Sequence, residues 1–380
     1  MIIHFFGDIM PSGIYSGKQI TLSSKIDQII TKSDCRVATL ETAVGEYQDI
    51  DAVKQPNTEV SVWSFESDLD KLKKLRINVV TLANNHANDC GIERLLALKK
   101  KLNELGIATI GAGKNLEEAS KPYVFELGGK TLAIIGVCQN NPDSLGTLQY
   151  ASENSAGVYE YNEIFLKNQI RDLKCVYNYV AIVIHWGIEH MWLPELKDVD
   201  IAEKLIDAGA DAIIGGHPHH IQPVLDYKTR PVYYSLGNFF FPDFYLDKNS
   251  NTFYPPSNDA KKLPTFDWMA PGRRHFSMKY FWKYYGRLGM IAELNFDSKI
   301  SFTKHYSLLT ANSLTSKRAP ITNFILLSFI HLVGKGISIK INKCITVFTH
   351  LFEHRFLGLF IKKYQFFKYI KKNNYDSFCS

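Results

Sequence analysis

The stretch ADAIIGGHPHH, residues 210–220, decides the reading of this chain. Its apolar half has the length, the branched side chains and the flanking glycines of a buried strand. Its polar half puts three imidazoles, His217, His219 and His220, within four residues. A core strand has no packing use for two imidazoles flanking a proline, so the end of this strand points to a bound ligand. The segment before it, VDIAEKLIDAGA (199–210), has helical spacing, and the unit therefore reads as helix, strand, ligand.

Outward from there the same unit recurs. DLDKLKKLRIN (68–78) carries Leu69, Leu72 and Leu75 on one helical face and runs into VVTLANNH. GIERLLALKKKLNELGIATIGAG (91–113) reads as a helix closed by Gly106, then a strand. KTLAIIGVC (130–138) is an apolar strand, and NEIFLKNQIRDLKC (162–175) is a helix that leads to YVAIVIHWG (179–187). RPVYYSLGNFFF (230–241) and GRLGMIAELNF (286–296) read as further strands, and the opening MIIHFFGDIM as the first. Alternating strands and helices at short spacing predict an α/β fold with a mostly parallel sheet.

The polar residues fall at strand C-terminal ends: Asp8, Glu41, Asn85 with His86, His185, His217 with His219, and Asn238. That edge of an open α/β sheet is where ligands bind. Taken singly, Asp8 reads as a turn or cap, Glu41 as a capping acid, NNHAND (84–89) as an Asx-rich turn and His185 as a core histidine. Taken together they supply two carboxylates, one or two amides and at least three imidazoles, with no cysteine among them. Such a set suits Mn²⁺, Fe or Zn²⁺.

The chain has 380 residues, 46% hydrophobic and 22% charged, enough for one large α/β domain or two smaller ones. The opening lacks the basic region and small-residue site of a secretory signal. Six dispersed cysteines without a CxxC suit reduced thiols, so the expected address is cytoplasmic. Charge is uneven. Residues 311–380 hold eleven basic and two acidic side chains, a net of +9, whereas 1–310 hold 33 and 36, a net of −3. A near-neutral body does not indicate whole-protein nucleic-acid binding, and an anionic partner belongs to the tail. Within it, APITNFILLSFIHLVG (319–334) is sixteen uncharged residues, short of the ~20 a spanning helix needs. Residues 345–372 mix aromatics, aliphatics and lysines. This tail reads either as helices packed on the body or as a peripheral attachment to the inner face of an anionic membrane.

GD near the N-terminus, a strand ending in LE, then LANNHANDCG, IVIHWGIEH, GGHPHHIQPV and YYSLGNFFF together resemble the CapA family of poly-γ-glutamate capsule-synthesis proteins, over about residues 1–300. That family is similar to the calcineurin-like metallophosphatases. The resemblance implies a four-layer αββα sandwich over 1–305, with an insertion at about 242–285 and a basic, helical extension over 306–380. It implies one or two divalent metals held by Asp8, Glu41, Asn85, His185, His217 and His219, with His86 as the catalytic histidine. Thr42, Asn84, Asp89, Glu189, His220 and Asn238 are then supporting or substrate-facing candidates. Met10 stands where the phosphatase pattern has a histidine. The function implied is a phosphoesterase-like hydrolase acting on a surface-polymer or lipid-linked substrate. The alternative is a non-catalytic capsule assembly or anchoring protein with a binding or vestigial metal site.

Overall fold

The computed structural model describes residues 1–45, 62–140, 148–246, 253–254, 278–280, 282, 284–310 and 313–317. In chain order its main elements begin with β1 (Ile2–Ile9), β2 (Thr21–Leu22), α1 (Ser24–Thr31), β3 (Cys35–Leu40) and α2 (Asp70–Lys74). Then come β4 (Val79–Thr81), α3 (Ile92–Glu104), β5 (Ala108–Ile110), β6 (Tyr123–Leu127), β7 (Lys130–Cys138) and α4 (Glu163–Val176). The second half holds β8 (Tyr179–His185), α5 (Leu196–Asp207), β9 (Ala212–Gly216), β10 (Val224–Tyr227), β11 (Arg230–Tyr233) and β12 (Asn238–Phe240). It closes with β13 (Leu288–Asn295), β14 (Ser301–Thr310) and β15 (Ser313–Lys317).

The helices form where the sequence spacing asks for them. In α3, Leu95, Leu98 and Leu102 are buried at spacings of three and four, and the chain leaves the helix at Gly106 with φ 75°. The Asn162 side chain caps α4 by accepting from the Phe165 amide, and α5 opens with a reciprocal Glu195–Asp198 capping box.

Two sheets stack face to face. The first runs β2-β15-β14-β13-β1-β3-β4-β5, with β12 also paired to β1; the second runs β10-β11-β9-β8-β7-β6. Between them pack Ile3, Phe5, Val37 and Val79 from the first sheet and Leu132, Ile134, Ala181, Val183, Ala212 and Ile214 from the second. Alternate residues of the same strands face outward. Phe6, Ala38, Leu40 and Val80 meet Ile26 and Ile30 of α1, Leu72 of α2 and the leucines of α3. Val180, Ile182, Ile184 and Ile213 meet Leu166 and Ile170 of α4 and Ile201 and Leu205 of α5. This is the four-layer αββα sandwich, built by strand period two.

Three details depart from the sequence expectation. The run 230–241 is two strands, because the chain passes from the second sheet to the first at Ser235-Leu236-Gly237, with Gly237 at φ 65°. The boundary at 305 falls inside β14, and β15 continues the first sheet to Lys317. Leu314 of β15 is fully buried, so burial carries this stretch into the body. Of the insertion, Phe244–Leu246 pairs antiparallel with Phe253–Tyr254 and with Met278–Tyr280. The helical tail expected beyond Lys317 lies outside the described residues.

Candidate metal centre

Strand period two also aims the polar strand ends. In β8, Ala181 and Val183 face the other sheet, so His185 two residues on shares that face. Cys35 and Val37 of β3 set the same phase for Glu41, at the first residue past the strand. In β1 the phase would be wrong without a bulge. Phe6 pairs with Ala38 but Asp8 with Thr39, so Gly7 is an extra residue that turns Asp8 inward. Only glycine fits there, since a Cβ on Gly7 would lie 1.8 Å from the Gly237 carbonyl oxygen. His217 and His219 follow β9 at φ 93° and 56°, left-handed positions that non-glycine residues seldom hold. Such strain at a strand end accompanies a functional site.

The donors converge in two groups that share one carboxylate. Glu41, His185 and His217 form one, and Asp8, Glu41 and His219 the other; within each, the ligand atoms lie within 4.8 Å of one another and all are buried. Glu41 Oε1 is 3.3 Å from His185 Nε2 and 3.5 Å from His219 Nε2. Asn85 Oδ1 lies 2.9 Å from His185 Nε2. Neighbouring ligands bound at 2.0–2.2 Å to one ion are about 3 Å apart, so these spacings suit a shared cation.

The electrostatics ask for one. Asp8 Oδ1 and both Glu41 carboxylate oxygens are buried without a hydrogen-bond donor. Burial, reinforced by the Glu41 charge, pushes the Asp8 carboxyl well above its ordinary range; burial likewise raises Glu41, with Glu189 adding to it. Burial and the His86 charge push the His185 imidazole well down, and burial with His190 does the same to His219. Two buried carboxylates and two imidazoles that burial keeps neutral fit divalent ions, which would restore the charge balance.

The supporting residues separate by their hydrogen bonds. His86 Nδ1 lies 2.7 Å from Asp89 Oδ2, which also accepts from the Val62 amide at 2.7 Å. Burial opposes charge on His86, but Asp89, Glu41 and Glu189 together outweigh it and raise the imidazole to about 9. Asn238 accepts from His219 Nδ1 at 2.8 Å and donates to the Gly286 carbonyl at 2.8 Å, so it orients a histidine with both ends of its amide. Asn84 ties its loop to β3 by donating to the Leu40 carbonyl and accepting from the His86 amide. Thr42 bonds the Ser64 hydroxyl and the Ala43 carbonyl. Glu189 and His220 are half-buried at the rim, and His220 packs on Trp192 and His190. Met10 is fully buried in a cluster with Trp63, Phe241, Phe244 and Trp282. The sequence reading missed His190 and Trp282, whose rings lie 6.3 and 5.0 Å from that of His219. Neither ends a strand, and Trp282 comes from the insertion, so no spacing rule singled them out.

The fold and this site define an αββα sandwich with two adjoining donor groups at the strand ends. Residues 2–243 match the family described as "Bacterial capsule synthesis protein PGA_cap", and the chain belongs to that family. It is 30% identical over 245 residues to the PGA biosynthesis protein CapA of Bacillus subtilis, covering 62% of this chain and 62% of that one. It is 30% identical over 180 residues to the capsule biosynthesis protein CapA of Bacillus anthracis, covering 46% and 43%. The matched stretch thus spans less than two thirds of either relative. Among solved structures it is similar to the calcineurin-like phosphoesterase YfkN from Bacillus subtilis at 14% identity and TM-score 0.43, covering 87% of this chain and 96% of that one. Among the described residues no helix is long and apolar enough to cross a membrane.

Proposed function

We propose that this protein is a metal-dependent hydrolase of the phosphoesterase type, acting in bacterial capsule or surface-polymer biosynthesis. The observation that supports it best is the sharing of Glu41 between two buried donor groups. Two divalent ions held there would polarise a phosphoryl oxygen and make water nucleophilic at neutral pH. The chain's own residues do the rest. His86 has its Nδ1 engaged by Asp89, which leaves Nε2 for the substrate, and a proton held to about 9 is available to a leaving oxygen. Asn85 Oδ1 and Glu41 Oε1 both face His185 Nε2, so the three would converge on one ion. Asn238 fixes the proton of His219 on Nδ1 and leaves Nε2 toward Glu41. A surface-polymer or lipid-linked phosphoester is the substrate class that accords with the family and with a basic tail suited to an anionic surface.

The test is elemental analysis of the purified chain joined to turnover of a panel of phosphomonoesters, phosphodiesters and lipid-linked phosphoesters. The expected result is one or two Mn, Fe or Zn per chain, lost in the double variant His217→Ala, His219→Ala together with turnover. Unchanged metal content in that variant would sink the site assignment. Metal bound through these residues with no phosphoester turned over would leave the non-catalytic assembly or anchoring role.

A further inference from the structure

The two halves of the centre are not built alike. The half around His185 has Glu41, His217 and, 2.9 Å from His185 Nε2, the Asn85 amide oxygen. Four donors reach it from the ends of β3, β4, β8 and β9. Among the described residues the other half has three: Asp8, Glu41 and His219.

What surrounds the second half is apolar. Met10 follows Asp8 by two residues and so shares its phase, while Ile9 between them packs with the helices on the outer face. The Met10 side chain is fully buried among Trp63, Phe241, Phe244 and Trp282. Phe241 and Trp282 in turn lie 5.1 and 5.0 Å, centroid to centroid, from the His219 ring. Met10, on the same phase as Asp8, carries a thioether, a soft ligand poorly suited to ions that carboxylates and imidazoles hold.

The remaining support for this half comes from the end of the insertion. Asn238 bridges His219 to the Gly286 carbonyl. Trp282 is fixed beside His219 because its amide donates to Asp243 Oδ1 at 2.8 Å, while Arg287 pairs with Asp243 Oδ2 and donates to the Trp282 carbonyl.

We infer that the centre loads in two unequal steps, the Glu41–Asn85–His185–His217 position first and tightly, the Asp8–Glu41–His219 position second and weakly. The second position depends on Asn238, held by the Gly286 carbonyl, and on Trp282, held by Asp243 and Arg287, to fix His219. This rests on the metal reading proposed above and adds an order of filling to it.

Calorimetric titration of the chelator-stripped full chain with Mn²⁺, with elemental analysis after desalting, tests it. The expected isotherm has two steps, the second at least about tenfold weaker, on the scale set by one lost outer contact to a ligand. His219→Ala should keep the tight step and abolish the weak one, and His217→Ala should abolish the tight one. Asn238→Ala should weaken only the second step, by about 10–100-fold. Met10→His should close the gap between the steps. A melt by circular dichroism screens each variant for folding, and where Met10→His does not fold, His219→Ala and Asn238→Ala decide. Two equal steps in the wild-type chain, or loss of the tight step in His219→Ala, overturn the inference while leaving the metal reading intact. Binding of no ion to the wild-type chain overturns both.

Discussion

His86 Nδ1 stands 2.7 Å from Asp89 Oδ2, and the two residues are three apart on the loop that follows β4. The contact engages one ring nitrogen and leaves Nε2 for the leaving-group role proposed above. His86→Ala should therefore keep the metal and lose about 10²–10⁴-fold in turnover, the usual scale of proton help to a leaving group. Loss of metal along with turnover would make His86 a ligand. Asp89→Asn should cost less in turnover but also lower the melting temperature, since Asp89 Oδ2 accepts from the Val62 amide as well.

The bulge at Gly7 is a stability device and a site device at once. A methyl group there would meet the Gly237 carbonyl at 1.8 Å, and neither backbone can retreat because the Asp8 amide donates to that same oxygen at 3.0 Å. Overpacking of a tight backbone contact costs about 1–3 kcal/mol and sometimes more. Gly7→Ala should fall at or beyond the top of that range in denaturant unfolding. Metal content should fall with it, because relieving the clash moves Asp8. A variant with wild-type stability and metal would contradict the account of the bulge.

Much of this was legible in the sequence, and the illegible parts have physical causes. Apolar runs ending in Asp8, Glu41, Asn85, His185 and His217 announced strand ends because period-two strands leave a polar residue at an edge only for a reason. The split of 230–241 was hidden, since both halves are apolar and only Gly237 marks the change of sheet. The strand Ser313–Lys317 was hidden too. It is short and mostly polar, it holds one buried leucine, and its place is set by pairing with β14 and β2. Asn238 read as a supporting or substrate-facing residue at a strand end. Its role as an orienter of His219 depends on Gly286, which no local pattern connects to it.

Asp198 offers a test at a carboxyl that is not among the donors of the centre. It is buried at the start of α5, where burial first and the Glu195 charge second raise its carboxyl to about 7. Its folded value thus exceeds the unfolded one. The native state binds the extra proton between about pH 4 and 7, so this residue's contribution is full at the acid end and is lost as pH rises through about 7. Asp198→Asn retains an acceptor for the Glu195 amide, which Asp198 Oδ2 now receives at 3.2 Å. The variant should be more stable than wild type above pH 7, by about 1–3 kcal/mol. Its stability should change less between pH 4 and 7. Parallel stability–pH curves for the two proteins would refute the raised carboxyl.

The last prediction concerns the basic tail, and the structure changes how it should be cut. Removing everything after residue 310 would delete β15, whose Leu314 is buried, and strip β2 of its only partner strand among the described residues. The Ser23 amide at the start of α1 would also lose the Leu314 carbonyl it donates to at 2.9 Å. A chain ending at 310 should melt lower for that reason alone. A chain ending at Lys317 keeps the sheet and removes ten basic against two acidic residues. It should fold, hold metal and melt as the full chain does. If the tail attaches to an anionic surface, the full chain should sediment with phosphatidylserine-containing vesicles and much less with phosphatidylcholine alone. The chain ending at Lys317 should sediment with neither. Salt should weaken the attachment, because exposed charges are screened within about 8 Å at physiological ionic strength. Binding that ignores both lipid charge and salt would point to insertion of the uncharged run 319–334 instead. A shortened chain that aggregates or melts lower would mean that the tail packs on the body.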